Sequence, residues 1–206
     1  MKIFVINPNS TTSMTDKIAA SARAVTAPGV VIEARSGVGA PASIEGHYDE
    51  VMAAPRLLDQ VREAEAQQAD AIVVACFDDP AIGACREIAT GPVIGICEAA
   101  VKAASMVATS FSVVTTLPRS VPIIEELVRR YGLDHQCRRV RSAAIPVLAL
   151  EEPGSNARLL VRAEILKAIE HQDQQDRCLR ATKPEIMHLR EESHDNFRYK
   201  PGCFAA

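Results

Sequence analysis

The chain has 206 residues, 48% hydrophobic and 24% charged, with a formal net charge of −3 at pH 7. That length buries a sizeable core in one domain or two small lobes, and a sequence pI near 6.0 with mean hydropathy +0.02 leaves no basic stripe for a nucleic-acid partner. No run approaches the ~18 apolar residues of a membrane span, and the opening M-K-I-F-V-I-N-P-N turns polar too soon for a signal peptide, so a cytoplasmic protein with reduced thiols is expected.

Residues 3–6 read as a strand, followed by N-P-N-S-T-T, where Ser10 or Thr11 can cap a helix over 12–25. A second strand is expected at 30–34, a loop at G-V-G-A-P (37–41) and a long helix over 49–68, with Val51, Leu58, Val61 and Ala64 near helical spacing. A third strand at 71–75, a helix at 80–89, a fourth strand at 93–96 and an Ala-rich helix at 98–108 follow. Then come a fifth strand at 111–114, the turn T-T-L-P-R-S, a helix through Tyr131, strand-like runs at 138–142 and 145–150, and a helix over 156–170. This alternation of short apolar runs with amphipathic segments predicts an α/β fold, with a parallel sheet covered by helices. Ligands in such folds bind beyond the carboxyl ends of the strands. Three of those ends carry small polar residues before a helix: Asn7–Thr11, Cys76–Asp79 and Thr115–Ser120. After about residue 170 the periodicity stops, and residues 173–206 read as an atypical tail, disordered or poorly packed.

The six cysteines (76, 85, 97, 137, 178 and 203) show no C-x-x-C pair and no His/Cys cluster of zinc spacing. No metal site is expected, and each thiol is by default a small buried hydrophobe. Cys76 is the exception in position. It ends an apolar strand in V-V-A-C-F-D-D-P, where Asp79 suits a helix N-cap and Pro80 a first helical position. A helix N-terminus favours a thiolate, whereas Asp78 and Asp79 oppose it; a plain structural cysteine remains the alternative. Asn7, Asn9 and Ser10 offer amide and N–H donors for a carbonyl oxygen or an anion, with an Asx-turn as the rival reading. Thr115 and Thr116 have the same design, and Arg119 is either an anion partner or a solvated charge.

Taken together, V-I-N-P-N-S (5–10), P-A-S-I-E-G-H (41–47), A-C-F-D-D-P (75–80), G-P-V-I-G-I-C-E-A-A (91–100) and F-S-V-V-T-T-L-P-R-S-V-P (111–122) closely resemble the hydantoin racemases of the aspartate/glutamate racemase superfamily. The resemblance runs from Met1 to about Glu170. It implies two pseudo-symmetric Rossmann-like lobes, here 1–96 and a partial 97–172, with one cysteine from each facing the cleft between them. It also implies a homo-oligomer that needs no cofactor and acts on a small molecule, a 5-monosubstituted hydantoin. One thiolate removes the C5 proton and the thiol on the opposite face returns one. Cys76 matches the first family cysteine. By the same resemblance Asn9, Ser10, Thr115 and Thr116 would hold the ring carbonyls, and Ser43 and Glu45 lie in a segment expected to line the pocket.

The second family cysteine sits in a strand-end motif resembling L-G-C-A-G, which is absent. Cys178 lies in Q-D-R-C-L-R-A and Cys203 in K-P-G-C-F, neither after an apolar strand. The residues 176–180 can be encoded so that a one-base shift reads Ile-Val-Val-Cys-Gly, so a shifted frame from about residue 172 is one expectation and an incomplete second lobe another. Allantoin racemase, a single-cysteine decarboxylase or isomerase of the superfamily, and an inactive fragment without the second cysteine stand as alternatives.

Overall fold

The computed structural model describes the backbone of residues 1–179 and 203–205 and the side chains of residues 1–171. Two parallel sheets organise it. The first comprises β1 (Lys2–Asn7), β2 (Val31–Ser36), β3 (Ala71–Val74) and β4 (Val93–Gly95), in the order β2-β1-β3-β4. The second comprises β5 (Phe111–Thr115), β6 (Cys137–Ser142) and β7 (Cys203–Ala205), in the order β6-β5-β7. Each sheet thus begins with its inner strand, adds the next strand on one side and the third on the other. Helices α1 (Thr12–Ala24), α2 (His47–Ala66), α3 (Ile82–Ile88), α4 (Ile96–Val107), α5 (Val121–Arg130) and α6 (Ala157–Leu179) connect and cover the strands.

The apolar faces collect into two cores. Phe4, Ile6, Leu57, Val61, Ile72, Val74, Ile82 and Val93 build one; Cys97, Val101, Phe111, Val113, Ile124, Leu127, Val128 and Val140 build the other. All five residues of β5 are buried, as expected of an inner strand packed on both faces. Phe77 follows β3 of the first sheet but packs against the second core, so the turn after β3 bridges the two cores. On the second sheet, Arg141 Nε donates to Glu164 Oε1 at 2.6 Å and ties β6 to α6.

Three expectations need correction. Residues 145–150 are not a strand. Ala144 takes a left-handed φ of 56°, Pro146 has no N–H to give a ladder, and Val147–Leu150 coils into a 3-10 turn. Ile145 N instead donates to Thr116 O at 3.0 Å, crossing the end of β5. The last helix runs to Leu179 rather than residue 170, and residues 203–205 lie as a strand beside β5, so neither piece of the expected tail is irregular. The rest of that tail, residues 180–202 and 206, lies outside the described residues. No described helix is long and apolar enough to cross a membrane.

Candidate active site

The register Ile6↔Val74 makes β1 and β3 neighbours, so the turn after Asn7 and the turn holding Cys76 leave the sheet side by side. Ala75 N extends the pairing by donating to Ile6 O at 2.8 Å. The turn after β1 is shaped by its own amides. Asn7 Nδ2 donates to Asn9 Oδ1 (2.8 Å) and to Thr15 Oγ1 (3.0 Å), and Thr11 N donates to Asn9 Oδ1 at 2.9 Å. The Asx-turn reading therefore accounts for Asn7 and for the oxygen of Asn9. Asn9 Nδ2 meets only the soft acceptor Met14 Sδ, at 3.4 Å, and remains the amide donor best able to serve a ligand. Gly37 is required here, because a Cβ on it would lie 2.3 Å from Pro8 O.

Ser10 differs from the expectation of a free N–H. Its amide donates to Pro41 O at 3.0 Å, while its hydroxyl has no partner among the described residues. Thr11 holds the N-cap position of α1 without a side-chain cap bond; its Oγ1 donates to Ala42 O at 2.6 Å. Thr115 and Thr116 are buried. Their carbonyls accept from Ala143 N at 2.9 Å and Ile145 N at 3.0 Å, and neither hydroxyl has a partner among the described residues.

Glu45 ties the 41–47 segment to the turns after β5 and β6. Its carboxylate accepts from Val147 N at 3.0 Å and from Ser43 Oγ at 3.3 Å, and it pairs with Arg119. The 41–47 segment thereby spans from the Ser10 turn to the turn after β5. Arg119, read from sequence as an anion partner or a solvated charge, is 61% exposed at its side chain and spends its guanidinium on this carboxylate.

The turn after β3 departs most from expectation. Cys76 does not stand at a helix N-terminus, because α3 begins only at Ile82. Asp79 and Ala81 hold left-handed φ values of 42° and 49°, which keeps Pro80 out of the helix. Asp79 does not cap α3. Its carboxylate turns to α4, accepting from Cys97 N at 3.0 Å and Glu98 N at 2.9 Å, and it also accepts from Tyr131 Oη at 2.7 Å. A buried carboxylate at a helix start satisfies orphan N–H groups and faces the positive end of the dipole. Gly95 makes room for it, since a Cβ there would lie 2.3 Å from Asp79 Cγ.

The electrostatics follow from this turn. Burial pushes the Cys76 thiol well above its ordinary 9.0, and the carboxylates of Asp78, Asp79 and Glu50 push it further, against a lowering contribution from the Asp78 N–H. No helix starts at Cys76 to favour a thiolate, and burial first, then the carboxylates, disfavours it. Asp78, only 7% exposed, is itself raised to about 7 by burial, then by Glu50 and Asp79, with His47 acting the other way. The Asp78 carboxyl has no hydrogen-bond partner among the described residues. It faces a cavity of about 200 Å³, bordered also by His47, Glu50, Glu126 and Arg130. No cluster of three His, Cys, Asp or Glu side chains suited to a metal occurs among the described residues.

Cys85 and Cys97 are buried in the two cores, and Cys137 packs against the second. Cys178 falls in the last turn of α6, not at a strand end. Cys203 opens β7 opposite Ser112, at the strand end far from the Thr115 turn. Sequence reasoning missed Tyr131, whose bond to Asp79 spans 52 positions and leaves no local signal.

The Asp/Glu/Hydantoin racemase family profile matches residues 3–176. Hydantoin racemase from Rhizobium meliloti is 53% identical over 165 residues, 80% of this chain and 68% of that protein. Hydantoin racemase from Pseudomonas sp. (strain NS671) is 39% identical over 170 residues, 82% of this chain and 68% of that protein. Among solved structures, allantoin racemase from Klebsiella pneumoniae superposes with a TM-score of 0.81 at 46% identity, covering 82% of this chain and 69% of that one. With the paired sheets, the strand-end turns and these likenesses in agreement, the chain belongs to the Asp/Glu/hydantoin racemase family and is an isomerase of that kind.

Proposed function

We propose that the chain catalyses cofactor-independent racemisation of 5-monosubstituted hydantoins, with Cys76 as one of its two proton-transfer groups. The observation that carries this reading is the placement of Cys76. It is a half-buried residue on the turn that follows β3, beside the Asn7–Asn9 turn and apart from the two core cysteines, Cys85 and Cys97. The C5–H of a hydantoin lies next to a ring carbonyl, so its removal gives an enolate whose oxygen needs donors. Asn9 Nδ2 and the Ser10, Thr115 and Thr116 hydroxyls, unspent on other described residues, suit that task. The other proton-transfer group has no assigned residue: neither Cys178 in α6 nor Cys203 at the start of β7 follows a strand as Cys76 does.

The test is loss of optical rotation by a single-enantiomer 5-monosubstituted hydantoin, with the Cys76→Ala variant as control. Rotation that decays with the native chain and persists with the variant supports the reading. Decay at equal rates with both removes Cys76 from it. A second substrate is favoured by the 46% identity to the Klebsiella allantoin racemase, since allantoin is itself a substituted hydantoin. Competition between the two substrates ranks them.

A further inference from the structure

We propose that Glu45 is a positioning residue: by accepting from Val147 N and pairing with Arg119 it fastens one end of the 41–46 segment, and so fixes the Ser10 turn, bonded to the other end, against the Thr115–Thr116 turn. The donors of the two turns are thereby held at one spacing. This rests on the reading of those donors as the groups that serve the enolate oxygen.

The segment is bonded at both ends. At its start, Pro41 O accepts from Ser10 N at 3.0 Å and Ala42 O from Thr11 Oγ1 at 2.6 Å. Ile44, buried between the two ends, keeps the segment down. At its finish, Glu45 N donates to Asp49 Oδ2 at 3.0 Å and ties it to the first turn of α2. The Glu45 carboxylate accepts from Val147 N at 3.0 Å and from Ser43 Oγ at 3.3 Å, and it pairs with Arg119. The chain around Val147 is in turn fastened to the two threonines, because Ala143 N donates to Thr115 O at 2.9 Å and Ile145 N to Thr116 O at 3.0 Å. A path of hydrogen bonds and short main chain therefore runs from Ser10 through Pro41, Glu45, Val147 and Ile145 to Thr116. Among the described residues no hydrogen bond joins the Ser10 turn to Thr115 or Thr116 directly. Glu151 makes a second link, to Ser13 at 2.7 Å and Lys17 at 2.9 Å, but these partners lie in α1, past the turn that carries the donors.

The ion pair with Arg119, 61% exposed at its side chain, adds little to stability. What Glu45 supplies is placement. Donors to an enolate oxygen act only at hydrogen-bond distance from the point where charge develops, and a displacement of about 1 Å costs on the order of 100-fold in rate. A segment released at Glu45 therefore costs turnover more than ground-state affinity.

Native chain, Glu45→Ala and Glu45→Gln are compared in two measurements. In steady-state racemisation of a single-enantiomer 5-monosubstituted hydantoin, Glu45→Ala should lower kcat about 10- to 100-fold and change KM by less than about threefold. Glu45→Gln, which keeps an oxygen acceptor for Val147 N, should return kcat to within about threefold of native. A raised KM with native kcat overturns the proposal, as does Glu45→Gln no faster than Glu45→Ala. Amide hydrogen exchange without substrate reads the coupling itself. In Glu45→Ala the N–H groups of both Val147 and Ser10 should exchange about tenfold faster, as the loss of one hydrogen bond implies. Faster exchange at Val147 alone overturns the proposal, since Glu45 would then fix only its nearer partner. If melting shows Glu45→Ala unfolded, Arg119→Ala, which strips only the exposed partner, replaces it; kcat should fall by at least about threefold, and native kcat overturns the proposal. Failure of the underlying reading is separable: a native chain that leaves the hydantoin's rotation unchanged removes that reading, while the exchange at Ser10 still decides whether Glu45 fixes the turn.

Discussion

Replacing Asp78 by Asn should stabilise the protein, and by an amount that depends on pH. Asp78 is 7% exposed, and its pKa rises from 3.8 to about 7 on folding. The folded state thus favours the protonated carboxyl. Its contribution is fully present below 3.8 and is lost as pH rises through about 7. A rise of about three units corresponds to a penalty on the order of 4 kcal/mol above pH 7. At pH 5 the penalty is only about 1.5 kcal/mol, because most of the carboxyl stays protonated there. Asn carries no titratable proton, and any packing cost it brings is common to both conditions. Urea unfolding of the two proteins at pH 5 and pH 8 measures the difference. The Asn variant should gain about 2.5 kcal/mol, relative to native, between those pH values. An equal stability difference at both pH values would refute the buried, ion-crowded environment assigned to this carboxyl.

Asp79→Ala leaves the Cys97 and Glu98 amides and the Tyr131 hydroxyl without their acceptor, and should cost about 3 kcal/mol in chemical denaturation. Tyr131→Phe removes one of those donors and should cost about 1 kcal/mol. Gly95→Ala drives a methyl into the Asp79 carboxylate; its destabilisation should shrink by more than about 1 kcal/mol in the Asp79→Ala background, a coupling read by a double-mutant cycle. Thr116→Val, which keeps the shape of a buried side chain, should lower kcat/KM for a 5-substituted hydantoin about 100-fold if its hydroxyl serves the enolate oxygen, with the melting transition little moved.

How far the sequence speaks for this fold varies with the range of the interaction. The strands over 3–6, 71–75 and 111–114 were readable because inner parallel strands are nearly continuous apolar runs, and the structure places them within one residue of those limits. Residues 145–150 carry the same apolar signal, yet Ala144 and Pro146 turn the chain before it can pair; composition alone does not distinguish an apolar coil from a strand. At the site, the motif picks out the right turns but not their wiring. Asp79 followed by Pro looks like a cap for the next helix in sequence. It accepts from the first amides of α4 instead, in a turn where residues 79 and 81 take left-handed φ. Tyr131, the Glu45–Arg119 pair and the acidic surroundings of Cys76 all join elements far apart in the chain, and no spacing rule announces them. The balance at the thiol, left open between a helix end and the two aspartates, is decided by long-range structure too: α3 starts at Ile82, two residues beyond the expected Pro80, and burial raises the thiol most.

The central claim is that Cys76 exchanges a proton with C5 of a hydantoin ring. Proton NMR of a single-enantiomer 5-monosubstituted hydantoin in heavy water tests it directly. The account predicts loss of the C5–H signal with the native chain, and none above the buffer rate with Cys76→Ala. Equal exchange by both proteins, or exchange by neither beyond buffer, would contradict it.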